Sequence, residues 1–349
     1  MRKVFYSTAS IVFIVLYSVT TVTAGNNDRA GQAGATELLI NPWARSAGWA
    51  GANSGSVRGL EAMFLNIAGA AFTKKTEVIF AHTNYFKGSG ISLNSIGFTQ
   101  KAGESGVFGF GLTSMDFGDI DITTTELPEG GIGTFSPQFL NIAVSYSKVF
   151  SNSIYGGLAF KVIDESISNV NASGVAFDAG IQYVTGTSAG KDNIKFGISL
   201  KNVGPALSFS GDGLSFKGTS PAITVEQRTA SFELPSLINI GITYDYKLSE
   251  MHRLTFAGTF TANSFSNDQF AFGLEYAFKN NFMLRGGYLY ESDINDVVIK
   301  RTANDGLNLG LTVDVPIGKS SGKTIGFDYS WTQTTPFDGT HRLGVRINL

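Results

Sequence analysis

Residues 269–278 read QFAFGLEYAF. Every second residue is large and apolar, and the residues between them are small or polar. Because neighbouring side chains of a strand point to opposite faces, this stretch predicts a strand with one apolar and one polar face. Such a strand is typical of a transmembrane barrel, whose outer face meets lipid and whose inner face meets a polar lumen.

Fourteen stretches of this kind run from about Glu77 to Leu349. They predict an all-β fold, a 14-stranded antiparallel transmembrane β-barrel. We predict strands at 76–86, 90–101, 106–116, 138–149, 153–165, 174–185, 192–203, 236–248, 252–262, 268–279, 281–292, 304–316, 323–333 and 339–349.

The connections between these strands alternate in length. The long ones all follow odd-numbered strands and lie near 117–137, 166–173, 204–235 and 293–303. The short ones follow even-numbered strands, at 151–152, 187–190, 279–280 and 317–320. Bacterial barrels have short periplasmic turns and longer external loops, so this parity supports an even strand count with both barrel ends in the periplasm.

The first 24 residues have the three parts of a secretory signal peptide. Arg2 and Lys3 carry positive charge, residues 11–19 are mainly apolar, and small residues precede a cleavage site near Ala24. The alternative is a transmembrane anchor, but the apolar run is too short to span a bilayer. Export combined with lipid-facing strands predicts the outer membrane of a diderm bacterium as the location.

Composition narrows the functional classes. Charged residues make up 15% of the chain, aromatic residues 12%, and glycine 42 of 349 residues, which suits a lipid-facing wall and a lumen lined by small residues. The absence of cysteine excludes disulfides, thiol catalysis and cysteine-based metal sites. A formal net charge of −2 gives no support for nucleic-acid binding.

No sequence pattern marks a catalytic or metal site. The histidines are far apart, so no convergent ligand set is expected, and nothing marks a catalytic triad. An acidic cluster after the third strand matches no complete calcium loop, which favours a solvated external turn. We predict no enzymatic activity, cofactor or metal; the histidines are His82, His252 and His341, and the acidic cluster is Asp116, Asp119 and Asp121.

The segment before the barrel, residues 25–73, has no alternating pattern and is rich in glycine and alanine. A fourteen-stranded wall encloses a lumen too wide for its own side chains to fill. We therefore predict that this segment is a hatch inside the barrel of residues 74–349, with Arg45 or Arg58 meeting carboxylates such as Glu275 or Asp328. The alternative is a loose periplasmic tail, against which Trp43, Trp49 and the apolar run 38–40 argue.

Two external loops carry apolar residues that could bind a partner. Apolar side chains on a loop either fold over the barrel mouth or form a binding surface, and the sequence leaves both alternatives open. The candidate partner-binding residues are Phe209, Phe216, Phe232 and Leu234 in loop 204–235, and Leu127 and Pro128 in loop 127–139.

Five short motifs stand out along the hatch and the barrel. They are 37–45 (ELLINPWAR), 48–52 (GWAGA), 66–69 (NIAG), 177–183 (FDAGIQY) and 201–205 (KNVGP). Together they resemble motifs of the PorV/PorQ family of outer-membrane proteins from the type IX secretion system. Residues 37–45 resemble the family's apolar-x-Pro-x-Ala-Arg motif, and residues 66–69 its Asn-Pro-Ala-Gly motif, with Ile67 in place of proline.

This resemblance implies a FadL-like fourteen-stranded barrel that binds partners and carries out no catalysis. Members dock on the type IX translocon barrel and collect secreted cargo through its C-terminal domain, or act as subunits of attachment or gliding-adhesin complexes. The external loops and the rim would then be the working parts, with outer-membrane lipid around the wall.

The alternative function is a FadL-like channel for hydrophobic small molecules. It requires an apolar pocket inside the lumen and a kink that opens the wall. The inward positions of the wall, such as Arg253, Thr255, Ala257, Thr259 and Thr261, are small or polar, and this favours the partner-binding interpretation.

Overall fold

The computed structural model describes residues 25–185, 194–217, 223–296, 298–318 and 322–349, without the side chains of residues 27, 216 and 217. The predicted signal peptide and the predicted turn 187–190 lie outside the described residues, as does part of the turn 317–320.

Fourteen of the described strands form a closed antiparallel barrel, and the predicted 14-stranded β-barrel is thereby confirmed. These strands are β1 Thr76–Tyr85, β2 Ile91–Ala102, β3 Gly106–Asp116, β6 Gln138–Val149, β7 Ile154–Ile167, β8 Val170–Val184, β9 Ile194–Val203, β12 Leu237–Lys247, β13 His252–Asn263, β14 Gln269–Phe278, β15 Phe282–Glu291, β16 Asn304–Pro316, β17 Thr324–Thr334 and β18 Thr340–Asn348. Their order around the barrel is β1-β18-β17-β16-β15-β14-β13-β12-β9-β8-β7-β6-β3-β2.

One predicted connection differs from the structure. β7 and β8 continue pairing up to Ile167 and Val170, so the expected long loop at 166–173 is a turn of two residues, one of them Ser168 with a φ of 55°. Polar residues in this hairpin interrupt the alternating apolar pattern, which is why the sequence suggested a loop.

Four short strands lie outside the barrel in the two longest loops. They form two hairpins, β4 Ile120–Asp121 with β5 Thr134–Phe135, and β10 Ser215–Lys217 with β11 Thr224–Glu226. We call this end of the barrel the loop end. The opposite end, where β1 begins and β18 finishes, is the turn end.

The wall has an apolar outer face and a polar inner face. In β14, Phe272 and Leu274 are exposed on the outside, with Phe272 at 59%, whereas Ala271, Glu275 and Ala277 are buried inside. This is the arrangement that the alternating pattern of residues 269–278 predicts.

Residues 25–73, the hatch, contain short helical turns and pack inside the barrel. Leu60 and Met63 of the hatch form a core cluster with Ile79 and Ala81 of β1. Among the described residues, no helix is long and apolar enough to cross a membrane. The helical turns are α1 Ala44–Ala47, α2 Ala62–Leu65 and the 3₁₀ segments Asn27–Arg29, Thr36–Leu39, Gly59–Glu61 and Ile67–Phe72, with one more 3₁₀ segment, Asp212–Leu214, in a loop.

Glycine lets the hatch backbone lie directly against the wall. A Cβ atom added at Gly287 of β15 would lie 2.3 Å from the carbonyl carbon of Trp49. Gly48 and Gly310 approach each other in the same way, with an added Cβ at Gly48 lying 2.7 Å from the Cα of Gly310. Larger side chains at these positions would push the hatch off the wall.

Candidate functional site

Polar side chains of the wall bond to the backbone of the hatch. Ser199 donates to the carbonyl of Leu65 at 2.7 Å, and Asn66 of the hatch donates to the wall carbonyl of Ile181 at 3.1 Å. Three similar bonds run from Ser147 to Ile67, from Thr259 to Ala52 and from Arg342 to Asn41. The polar inner face therefore satisfies hatch carbonyls that would otherwise be buried without partners.

Paired charges surround the hatch towards the turn end. The Glu275 carboxylate accepts from Arg285 at 2.6 Å and from Arg253 at 2.9 Å. The carboxylate of Glu77 accepts from the backbone N–H of Leu60 at 2.7 Å, which ties the hatch to β1. These bonds compensate charges that would be costly to bury alone.

Arg45 of the hatch lies among these charges. Burial lowers the pKa of its guanidinium, but neighbouring carboxylates more than offset this and hold the pKa above its usual range. In order of effect the carboxylates are Glu61, Asp328, Asp314 and Glu275. Arg45 lines the same cavity as Glu275, and both carboxylates named in the sequence prediction act on it electrostatically, without a direct ion pair among the described residues. Arg58 is exposed, with its guanidinium 4.4 Å from the centre of the Phe72 ring.

A polar cavity of about 260 Å³ lies between the hatch and the wall on the turn-end side. Charged groups dominate its lining: Arg45, Arg58, Glu61, Lys195, Asp245, Arg253, Glu275 and Arg285. Lys195 and Asp245 are themselves paired at 2.5 Å. Most of these charges are used in ion pairs within the protein, so the cavity does not suit an apolar ligand.

A second cavity, of about 440 Å³, lies on the loop-end side of the hatch, and we call it the vestibule. Its lining mixes polar residues of the wall, such as Asn239 and Thr261, with apolar residues, such as Leu237 and Leu289. Lys201 also lines it.

The third cavity is an apolar pocket of about 50 Å³ between the hatch and strands β2, β3 and β6. The polar residues of its lining are Glu37, Thr113, Asn141 and, from β7, Lys161. Its apolar lining is Leu38, Ile40, Pro42, Trp43, Met63 and Phe64 from the hatch, and Leu93, Met115, Phe139 and Ala143 from the wall.

The apolar pocket corrects one expectation from the sequence. The lumen-facing residues of the wall are largely polar, as expected, but six of the ten apolar lining residues come from the hatch. Met63 and Phe64 were not singled out because the hatch sequence has no periodicity that assigns a direction to its side chains. The signal that was available is the run Met63-Phe64-Leu65 in a segment already placed inside the lumen.

The wall beside the pocket is continuous. β2 pairs with β3, and β3 with β6, residue by residue along their length. Register shifts occur elsewhere, between Phe177 and Ala179 of β8 opposite β9 and between Asn304 and Asn308 of β16.

A buried polar network stabilises the shift between β8 and β9. Asn202 has a left-handed φ of 57°, and its N–H donates to Asp178 at 2.8 Å. Lys161 donates to the Asn202 side chain at 2.8 Å and pairs with Asp178 at 2.6 Å. The Asn202 amide also donates to the carbonyl of Pro235 at 3.1 Å. The KNVGP motif at 201–205 therefore fixes a bulge at the loop end of the wall.

Loop 204–235 packs against the start of the hatch. Leu234 is only 3% exposed and forms a core cluster with Leu38 and Leu207, against which Phe232 packs. The Phe209 and Phe232 rings lie 5.6 Å apart. The self-packed alternative therefore describes Phe232 and Leu234, and for Leu234 the structure leaves no free surface for a partner.

The other candidate partner-binding residues have different positions. Leu127 is 52% exposed and Pro128 is also exposed, in the loop that carries the β4–β5 hairpin. Phe216 lies in the short strand β10. Partner binding by these residues stays a prediction.

No family model and no curated protein sequence matches the chain. Solved structures do match. CymD, a monoaromatic hydrocarbon channel, has a TM-score of 0.54 at 12% identity. The toluene transporter TodX of Pseudomonas putida also has a TM-score of 0.54, at 10% identity, and TbuX of Ralstonia pickettii has 0.50 at 13%. Each match covers 88% of this chain and 97% of the other.

The fold is that of these hydrocarbon channels. A closed barrel with an apolar outer face is the form in which proteins span bacterial outer membranes, and this supports the predicted outer-membrane location. All three matching proteins are channels or transporters. At this level of identity the similarity concerns the fold alone.

Proposed function

We propose that this protein is an outer-membrane channel for small hydrophobic molecules and that the apolar pocket is its ligand site. The single observation that carries the proposal is the pocket itself, an apolar space inside a barrel whose wall presents a largely polar inner face. The fold shared with channels for toluene and other monoaromatic hydrocarbons supports it and suggests an uncharged aromatic ligand.

The lining of the pocket suits such a ligand. Met63 and Met115 have flexible, polarisable side chains that adapt to irregular shapes and contact aromatic rings favourably. Trp43 supplies an aromatic face. The present volume of about 50 Å³ is too small for a benzene ring, since a cavity that holds benzene measures about 150 Å³. Ligand entry therefore requires a hatch side chain to move.

Quenching of Trp43 fluorescence by bromobenzene tests the proposal. Trp49→Phe and Trp331→Phe leave Trp43 as the single tryptophan, and lipid nanodiscs keep detergent out of the pocket. Bromine quenches on contact, so we expect saturable quenching of Trp43. Gly111→Leu fills the pocket, because an added Cβ already lies 3.7 Å from Met63, and should abolish most of the quenching.

Leu112→Phe is the matched control, since it adds volume to the lipid-facing side of the same strand. Bromobenzene should quench Trp43 in this variant as strongly as in the parent protein. Absence of quenching in the parent, or equal quenching in the Gly111→Leu variant, would contradict the proposed ligand site.

A second candidate function is the partner-binding role implied by the resemblance to PorV/PorQ proteins. The observation that favours it is an exposed apolar group on loop 117–137, formed by Ile120, Ile122, Leu127 and Ile132. Purification from native outer membrane tests this role. The role would be supported if a very large barrel, or secreted proteins with a shared C-terminal domain, co-purify with the parent protein. This co-purification should be lost when residues 120–132 are replaced by a Gly-Ser linker. Purification of the barrel alone would contradict it.

A further inference from the structure

We propose that Phe64 is the gate between the vestibule and the apolar pocket, and that Lys201 holds it closed. The inference rests on the proposed function, because it concerns access to the same pocket. It assigns to the KNVGP motif a role in controlling access, in addition to shaping the wall.

The Phe64 side chain separates the two cavities. It lines the apolar pocket on one side and the vestibule on the other, and Ile40 is the other residue whose side chain lines both. Phe64 belongs to α2 and packs against the core cluster of the hatch. A molecule that passes from the vestibule into the pocket must therefore displace the ring of Phe64, the side chain of Ile40, or both.

Lys201 fixes the position of the Phe64 ring. Its ammonium nitrogen lies 3.8 Å from the ring centre, well within the range of a cation–π contact. The residue is only 3% exposed. In the described part of the chain its ammonium has no hydrogen bond or ion pair, and the nearby Asp178 is already paired with Lys161. Among the described residues the Phe64 ring is thus the group in direct contact with this ammonium, whose other neighbour is the vestibule.

The bulge prevents Lys201 from moving away. The neighbouring Asn202 is bonded through its backbone to Asp178 and through its side chain to Lys161 and Pro235. A backbone held at three points keeps Lys201 directed at the hatch. The contact therefore stabilises the closed position of Phe64 relative to any rotamer that opens the pocket.

The rate of bromobenzene quenching in the Trp43-only protein tests the gate. Lys201→Met removes the cation and keeps an unbranched side chain, so the quenching rate should rise by roughly tenfold, the effect of losing a desolvated cation–π contact. Lys201→Arg retains a cation over the ring and should keep the parent rate. Phe64→Ala should also accelerate quenching, and adding Lys201→Met to it should give no further increase.

Stopped-flow measurement separates the two proposals. Quenching at the parent rate in Lys201→Met, or an additional effect of Lys201→Met on top of Phe64→Ala, contradicts the gate and leaves the ligand site standing. Absence of quenching in the parent and in Phe64→Ala contradicts the ligand site and the gate together. Heat-modifiable migration on gels verifies that each variant retains its barrel.

Discussion

A negative charge on Glu37 opposes the packing of the hatch against loop 204–235. Both carboxylate oxygens are buried, and the group that faces them across the hatch–wall contact is another carboxyl group, that of Glu165. Burial and the neighbouring Glu165 carboxylate raise the pKa of Glu37 from 4.5 to about 7. Glu37 lies in the 3₁₀ segment Thr36–Leu39 that packs under loop 204–235, so its ionisation acts on the contact between the hatch and this loop.

The attachment of residues 25–41 should weaken as the pH rises. The folded protein retains a proton on Glu37 that the unfolded chain loses near pH 4.5, so stability falls between about pH 4.5 and pH 7 and then levels off. Hydrogen exchange of residues 25–41 should be faster at pH 8 than at pH 5.5, after correction for intrinsic exchange. Glu37→Gln should remove this difference; an unchanged pH dependence in that variant would assign it to another group.

Arg285 and Arg253 share a carboxylate but differ in burial. The Arg285 side chain is 1% exposed and the Arg253 side chain 30% exposed, and both contact Glu275. Arg285→Met should lower the free energy of unfolding by about 3–5 kcal/mol, because it leaves a buried carboxylate short of its main partner. Arg253→Met should cost about 1 kcal/mol or less. Urea titrations in detergent measure the loss of unfolding free energy in each variant. Equal losses in the two variants would contradict the prediction.

At the scale of elements, the strands and the hatch differ in how far the sequence predicts them. The barrel strands were predicted within a few residues because a two-residue period assigns every side chain to one face. Residues 25–73 have no period, so the sequence placed the segment in the lumen without giving its path. Trp43 and Arg45 were recognised as hatch residues from their type, but the pocket formed by Met63 and Phe64 depends on that path.

A side chain at position 287 should break the contact between the hatch and the wall while the barrel stays folded. Gly287→Ala places a methyl group within 2.3 Å of the Trp49 backbone, whereas at the adjacent Gly286 the nearest atom to an added Cβ is in Leu309, at 3.8 Å. We expect Gly287→Ala to increase proteolysis of residues 25–73 while the barrel keeps its heat-modifiable migration. Gly286→Ala should behave like the parent. Equal proteolysis of the two variants would show that the hatch does not depend on this close approach.

At the scale of the whole molecule, a polar wall surrounds a hatch that carries its own apolar face. The lumen-facing threonines, asparagines and charged residues bond to the hatch and to one another, and the hatch supplies most of the apolar pocket. The residues of the wall alone therefore favour a barrel that is filled by the hatch and binds partners at its loops and rim. With the hatch included, the same barrel contains an apolar pocket, and the proposed channel function rests on it.

A crystal soaked in bromobenzene tests this conclusion most directly. Anomalous scattering from bromine locates the ligand without assumptions about its route. We expect a bromine peak inside the barrel, in contact with Trp43, Met63 and Met115, with the Phe64 ring displaced from its position below Lys201. Bromine peaks confined to the lipid-facing surface, with the pocket empty at saturating ligand, would contradict the proposed function.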